Sequence, residues 1–232
     1  MPRDRQTSPF RIASYNVRKT RGLDQRRDPG RTLEVINSLD ADVVALQEAD
    51  HRLGERPAAL SRRLIEDETD FCLAPVAESA VSVGWHGNAV LVRRGIQVRS
   101  VLRIKLPGLE PRGAVRVDFE DGLTLVATHL GLLRNYRRRQ LSVIANALSD
   151  VDCAVIAGDF NEWRQNRGLE PLAGRYDVIS PGRSFHAARP VAALDRFAHT
   201  GALRLHQAGV DQSPRAKRAS DHLPTWADLL PQ

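Results

Sequence analysis

Apolar residues fall along this chain in two kinds of run. Residues 42–46 (DVVAL) and 153–157 (CAVIA) are short and almost unbroken, the pattern of strands covered on both faces. Residues 10–17 (FRIASYNV), 98–106, 114–119 and 203–210 alternate apolar with polar positions instead, as strands with one wetter face do. A Pro/Gly-rich turn separates 98–106 from 114–119, so these two are expected to pair antiparallel. Asp121-Gly122 is a hairpin signal that leads into a strand at 123–128, and further strands are expected at 71–76, 88–93 and 225–230. Helical spacing appears at 31–39, where Leu33, Ile36 and Leu39 follow an Asp28-Pro29-Gly30 entry. It appears again at 56–68, and at 134–148, which sets Leu141, Ile144, Ala145 and Leu148 on one face. No repeat, low-complexity tract or linker interrupts this order. The expectation is one α/β domain over 9–232 behind a disordered tail at 1–8.

Composition changes this picture only at its margins. A chain of 232 residues folded in layers can bury a substantial core. Its 34 basic and 28 acidic residues leave a net charge of +6, which favours polyanionic partners such as nucleic acid or an acidic membrane surface. Aromatic residues are only 5% of the chain, so no base-stacking platform is evident. Cys72 and Cys153 lie far apart and the second belongs to an apolar strand, so both read as reduced thiols. The first ten residues contain no apolar stretch of signal-peptide length, and no run approaches a membrane span. A cytoplasmic monomer without a transmembrane segment is expected.

The chemistry sits at the ends of the strands. After CAVIA, Gly158 is expected to turn the backbone sharply and to present Asp159 and Asn161 beyond the strand, where open α/β folds place their ligands. A carboxylate and an amide so placed can hold a hard cation and a phosphoryl oxygen, or simply close an Asx turn. Five further strands end at or carry a polar group of the same kind: Asn16, Glu48, His129, Asp195, and Asp221 with His222. Each has a plainer reading. Asn16 could serve a turn, His129 the core, Asp195 its neighbour Arg196, and Asp221 a cap. A layered fold, however, brings strand ends together.

SYN (14–16), LQE (46–48), THL (128–130), GDFN (158–161), LDR (194–196) and SDHLP (220–224), in this order, resemble the motif series of the endonuclease/exonuclease/phosphatase superfamily. The resemblance spans roughly residues 10–230. It implies a four-layer α/β sandwich, with two mixed β-sheets packed face to face, helices outside and the site at one edge. It also implies roles. Glu48 would be the principal ligand of Mg²⁺ or Mn²⁺, aided by Asn16 and Asp221. His222 would act as general base, with Asp195 fixing its tautomer. Asp159 would orient or help deprotonate the attacking water, Asn161 would donate to a non-bridging oxygen, and His129 would be a second donor or the general acid.

The substrate implied is a phosphate ester: a small molecule, a phospholipid head group or nucleic acid. THL argues against the abasic-site branch, which resembles it elsewhere but centres that motif on tyrosine. Arg18, Lys19 and Arg21 follow Asn16, and Arg215, Lys217 and Arg218 precede Asp221-His222. Arg18 and Arg218 are therefore candidates for phosphate contact. The arginines at 134 and 137–139 read more readily as a solvated helix face. Asn88, in a GNAVL segment similar to the family's, is a candidate substrate contact or merely a strand entry. A catalytically inactive phosphate-binding module is disfavoured by the complete residue set, and a Mg-dependent nuclease is the main alternative to a phosphodiesterase or phosphatase.

Overall fold

The computed structural model describes residues 9–164 and 167–232; the tail expected at 1–8 lies outside them. The described residues form twelve strands: β1 (Phe10–Asn16), β2 (Val43–Gln47), β3 (Phe71–Leu73), β4 (Ala89–Arg93), β5 (Val98–Lys105), β6 (Gly113–Phe119), β7 (Thr124–His129), β8 (Ala154–Asp159), β9 (Tyr176–Ile179), β10 (Asp195–Thr200), β11 (Leu203–Val210) and β12 (Thr225–Pro231). The helices are α1 (Pro29–Ser38), α2 (Arg62–Glu68), α3 (Arg134–Asn146) and the single turn α4 (Ala216–Ala219).

Two six-stranded mixed sheets result, ordered β11-β12-β1-β2-β4-β3 and β5-β6-β7-β8-β10-β9. Each has one parallel pair at its centre, β1 with β2 and β7 with β8, and antiparallel neighbours outward. Each parallel pair is joined by a crossover helix, α1 in the first sheet and α3 in the second. The strand periodicity sorts residues into three apolar layers. In β2, Val43 and Ala45 face the other sheet while Val44 and Leu46 face α1; in β8, Val155 and Ala157 face the other sheet while Ala154 and Ile156 face α3. Both faces of these strands are therefore covered, which is why their sequences do not alternate. The architecture is the four-layer α/β sandwich.

Several local expectations change. The helix expected at 56–68 begins only after Ser61, whose Oγ accepts from Leu64 N at 3.2 Å. The preceding backbone is committed elsewhere, Ala58 N to Val81 O and Ala59 N to Ala49 O. The strand expected at 71–76 stops at Leu73, two residues before Pro75, which has no amide to donate. β9 is a short outer strand that its sequence, YDVI, did not announce. Gly158 makes no turn: it lies inside β8, where an added Cβ would stand 1.9 Å from Thr128 O, so glycine is required for β7 and β8 to approach.

Candidate active site

The two central parallel pairs deliver their carboxyl ends to one edge of the sandwich. Asn16 ends β1, Glu48 follows β2, His129 ends β7 and Asp159 ends β8. Asp195 begins β10 rather than ending a strand, yet β10 is antiparallel to β8 and its register sets Asp195 opposite Asp159. Asp221 and His222 precede β12, which runs antiparallel to β1, and Ser220 Oγ donates to Asn16 O at 2.7 Å. Six separate segments thus meet at one place.

Asp159 is its centre. Asn16 Nδ2, from the other sheet, donates to Asp159 Oδ2 at 3.2 Å; His129 Nε2 lies 3.4 Å and His222 Nε2 3.6 Å from the same oxygen. Asp159 Oδ1 accepts from Asn161 N at 2.9 Å, with Asn161 at φ 51°, so the Asx turn and the site are the same structure. The Asn161 side chain donates to Leu130 O at 2.9 Å. Asp195 Oδ2 accepts from His222 Nδ1 at 2.9 Å and from Ser184 Oγ at 2.5 Å, while Asp195 Oδ1 is buried without a partner among the described residues. Ser184 escaped sequence reasoning because nothing local marks it.

Burial, reinforced by Asp195, raises the Asp159 carboxyl to about 6 against the opposing pull of His222 and the hydrogen bonds from Asn161 and Asn16. Burial alone would push His222 down, but Asp195 and Asp159 outweigh it and raise the imidazole to about 10. At neutral pH the pair therefore holds its proton on His222, an imidazolium between two carboxylates. Burial, then Arg112 and His222, push His129 well below its ordinary value, so it is a neutral imidazole.

Glu48 stands at the other side, at φ 55°. Burial pushes its carboxyl up, but the hydrogen bond and charge of Lys19, with Arg52 and Arg112, more than offset that and keep it ionised. Its Oε2 contacts the Lys19 ammonium, and Arg52 Nη2 lies 3.6 Å from Oε1. Both of these carboxylate oxygens thus face cationic side chains, with Lys19 occupying a position that suits a hard cation. A separate set of donor atoms, on Asp159, Asp195 and His222, lies within 4.8 Å. There His222 already lies between the two carboxylates, whereas Glu48 has the chemistry to hold a hard cation.

The remaining candidates divide. Arg18 Nε lies 3.3 Å from Asp221 Oδ2, at the site. Arg18, Lys19 and Thr20 all hold positive φ (47°, 55° and 60°), a tight left-handed turn that aims the first two side chains at Asp221 and Glu48. The buried Asn88 side chain donates to Gly113 O at 2.9 Å and to Trp85 O at 3.3 Å, bridging the sheets beside Glu48's loop. Arg218 is not brought to the site. It is exposed and lines a separate open cavity with Asp28, Arg31, Arg215 and Trp226. Arg137 is not a solvated residue either: its Nη2 donates to buried Glu162 Oε2 at 2.7 Å. Aromatic groups that composition concealed line one rim, with the Phe185 ring 5.0 Å from His222 and 6.1 Å from exposed Trp163.

A family model described as Endonuclease/Exonuclease/phosphatase family matches residues 13–222. Uncharacterized protein YbhP of Escherichia coli strain K12 is 28% identical over 220 residues, which cover 85% of this chain and 87% of that protein. An endonuclease/exonuclease/phosphatase from Bacteroides vulgatus has the same fold, with a TM-score of 0.78, 17% identity, and coverage of 97% of this chain and 100% of that one. So does a mannosyl-6-phosphatase of Bacteroides thetaiotaomicron, with a TM-score of 0.73 and 15% identity over 95% of this chain and 99% of that one.

Proposed function

Because the chain belongs to the endonuclease/exonuclease/phosphatase family, whose members are metal-dependent phosphoester hydrolases, we propose that it hydrolyses a phosphate ester by direct attack of water, with Mg²⁺ or Mn²⁺ bound at Glu48. The observation that carries this reading is the convergence of Asn16, His129 and His222 on a single oxygen of buried Asp159. Asn16 and Asp221 would complete the protein's share of the cation's ligands. When bound, the cation polarises a phosphoryl oxygen as a Lewis acid.

The residues divide the remaining work. Asp159 Oδ2 is the acceptor at the centre of the donors, placed to align the attacking water and take its proton. His222, held as imidazolium by Asp195, donates from Nε2 to a non-bridging oxygen and balances charge there, which differs from the general-base role expected from the resemblance. Neutral His129 donates from Nε2 to the phosphoryl group or to the leaving oxygen. Asn161 can exchange its bond to Leu130 O for one to the substrate. Arg18 offers a guanidinium on the Asp221 side. The mannosyl-6-phosphatase on the same fold keeps phosphomonoesters within this reading.

Hydrolysis of bis(p-nitrophenyl) phosphate in Mg²⁺, in Mn²⁺ and in EDTA tests it, beside plasmid nicking at low salt. Diester hydrolysis lost in EDTA and in Glu48→Ala is expected. Wild-type turnover in Glu48→Ala would sink the scheme, and rapid nicking would make nucleic acid the substrate.

A further inference from the structure

We propose that the end of the sandwich bearing the site docks on an anionic lipid surface, so that its phosphate ester is met at a membrane. This rests on the hydrolase reading for the chemistry, but on separate observations for the docking. Nine large apolar side chains stand out into solvent among the described residues, and seven of them hang from loops at the site end. Leu53, 85% exposed, follows β2 and Glu48; Leu109, 78% exposed, lies between β5 and β6; Leu132, 65% exposed, and Leu133 follow His129. Trp163, 61% exposed, follows Asp159 and Asn161. Val191 precedes β10, and Val81 lies in the loop before β4. Only Leu102 and Leu205 are elsewhere, on the outer strands β5 and β11.

These loops touch one another around the opening. Ala58 N donates to Val81 O at 2.8 Å, and Leu132 N to Glu110 Oε1 at 2.9 Å. Val191 N donates to the backbone of Phe185, whose ring meets Trp163. An arginine lies within two residues of four of the tips: exposed Arg164 and Arg189, and Arg52 and Arg134, which also face Glu48 and Glu170. Aliphatic tips interleaved with guanidinium groups match the boundary between acyl chains and anionic head groups, where the apolar groups insert and the cations meet phosphate. Six of these seven tips are leucine or valine, with no ring to stack on a base, which disfavours nucleic acid as the occupant. One or two apolar groups per loop, spread round an opening, also differ from the contiguous centre of a protein interface.

The experiment is co-sedimentation of the full chain with vesicles of phosphatidylcholine alone and of phosphatidylcholine with phosphatidylglycerol, with no substrate present. Wild type should pellet with the anionic vesicles and show a blue-shifted tryptophan emission that Trp163→Phe removes. The triple variant Leu53→Asp, Leu109→Asp, Leu132→Asp should partition at least about tenfold more weakly. Its near-ultraviolet circular dichroism should be unchanged, and so should its hydrolysis of bis(p-nitrophenyl) phosphate. Failure of wild type to pellet, or pelleting of the triple variant as wild type, would overturn the proposal. So would tighter capture of duplex DNA that the same triple variant abolishes. Binding is read without turnover, so an inactive protein that still pellets would refute the hydrolase reading and leave the docking standing.

Discussion

The two ends of the sandwich solve the same problem, reversing the chain between strands, in opposite ways. At the end away from the site, turns at positive φ use glycine: Gly95, Gly122 and Gly174 stand at 94°, 89° and 81°, and none of the described residues comes within 4 Å of an added Cβ. The neighbouring tips there are small or polar, Glu120, Asp121, Ser149, Asp150 and Gly201. At the site end glycine also serves, at Gly54 (φ 64°) and Gly87 (φ 80°), but many left-handed positions hold full side chains. Of nine such non-glycine residues among those described, all but Asp40 lie there, including Arg18, Lys19, Glu48 and Asn161. Each costs on the order of 1–2 kcal/mol. The lesson is that one end is built to stop a strand cheaply, whereas the other accepts strain to hold a side chain in a given direction.

The largest expected effect sharpens this contrast through activity. Glu48→Ala or His222→Ala should lower kcat about a thousandfold or more, measured on a soluble diester. Asp195→Asn should lower kcat by roughly a hundredfold to ten-thousandfold with KM nearly constant, since it leaves the imidazole in place without its charge partner. A variant that lost affinity alone would remove Asp195 from the scheme.

The next effect is on stability and tests whether the site end depends on close strand approach. Gly158→Ala should cost more than about 4 kcal/mol in denaturant unfolding, because Thr128 O blocks the methyl group. A mild cost would mean that β7 and β8 can separate.

A smaller effect should depend on pH. Arg137→Met leaves Glu162 buried without its partner and should cost roughly 3 kcal/mol. Burial pushes Glu162 up, but Arg137, together with the Arg164 amide and the charge of Arg134, more than offsets it, so the folded carboxyl lies below its ordinary value. The stabilisation is then complete above the ordinary glutamate value and is lost as pH falls through the depressed one. Melting temperatures of wild type and variant should converge in acid, and a gap constant with pH would show that the ion pair is not its source. The smallest effect belongs to the far end. Asp150→Ala should stay within about 0.5 kcal/mol and leave kcat unchanged; an equal loss there would break the comparison.

Much of the frame was legible because both faces of its central strands are covered, and DVVAL and CAVIA carry that directly. The helix expected at 56–68 was overstated because helical spacing competes with loop hydrogen bonds that only the folded chain reveals. The strand-end polar residues were legible as a set, since strand direction alone brings Asn16, Glu48, His129 and Asp159 to one edge. Arg218 was misplaced because nearness in sequence to His222 does not determine which side of a helical turn a residue occupies. Lys19 was visible as a neighbour of Asn16 but not as the partner of Glu48, which depends on three successive left-handed residues. Trp163 and Phe185 meet in space from separate segments, so an aromatic content of 5% concealed their clustering.

The strand order also imposes a timetable on synthesis. The second sheet is drawn wholly from β5 to β10, one uninterrupted stretch of chain, whereas the first is split between β1–β4 and β11–β12. β1 emerges early from the ribosome yet waits for β12, with Phe10 paired to Leu229. Until residues 225–231 appear, one side of β1 is an unpaired edge open to wrong partners. His222 arrives in the same late segment, so a nascent chain can assemble Asp159 and Asn161 in a finished sheet while remaining chemically silent. Closing the first sheet and arming the site are one event.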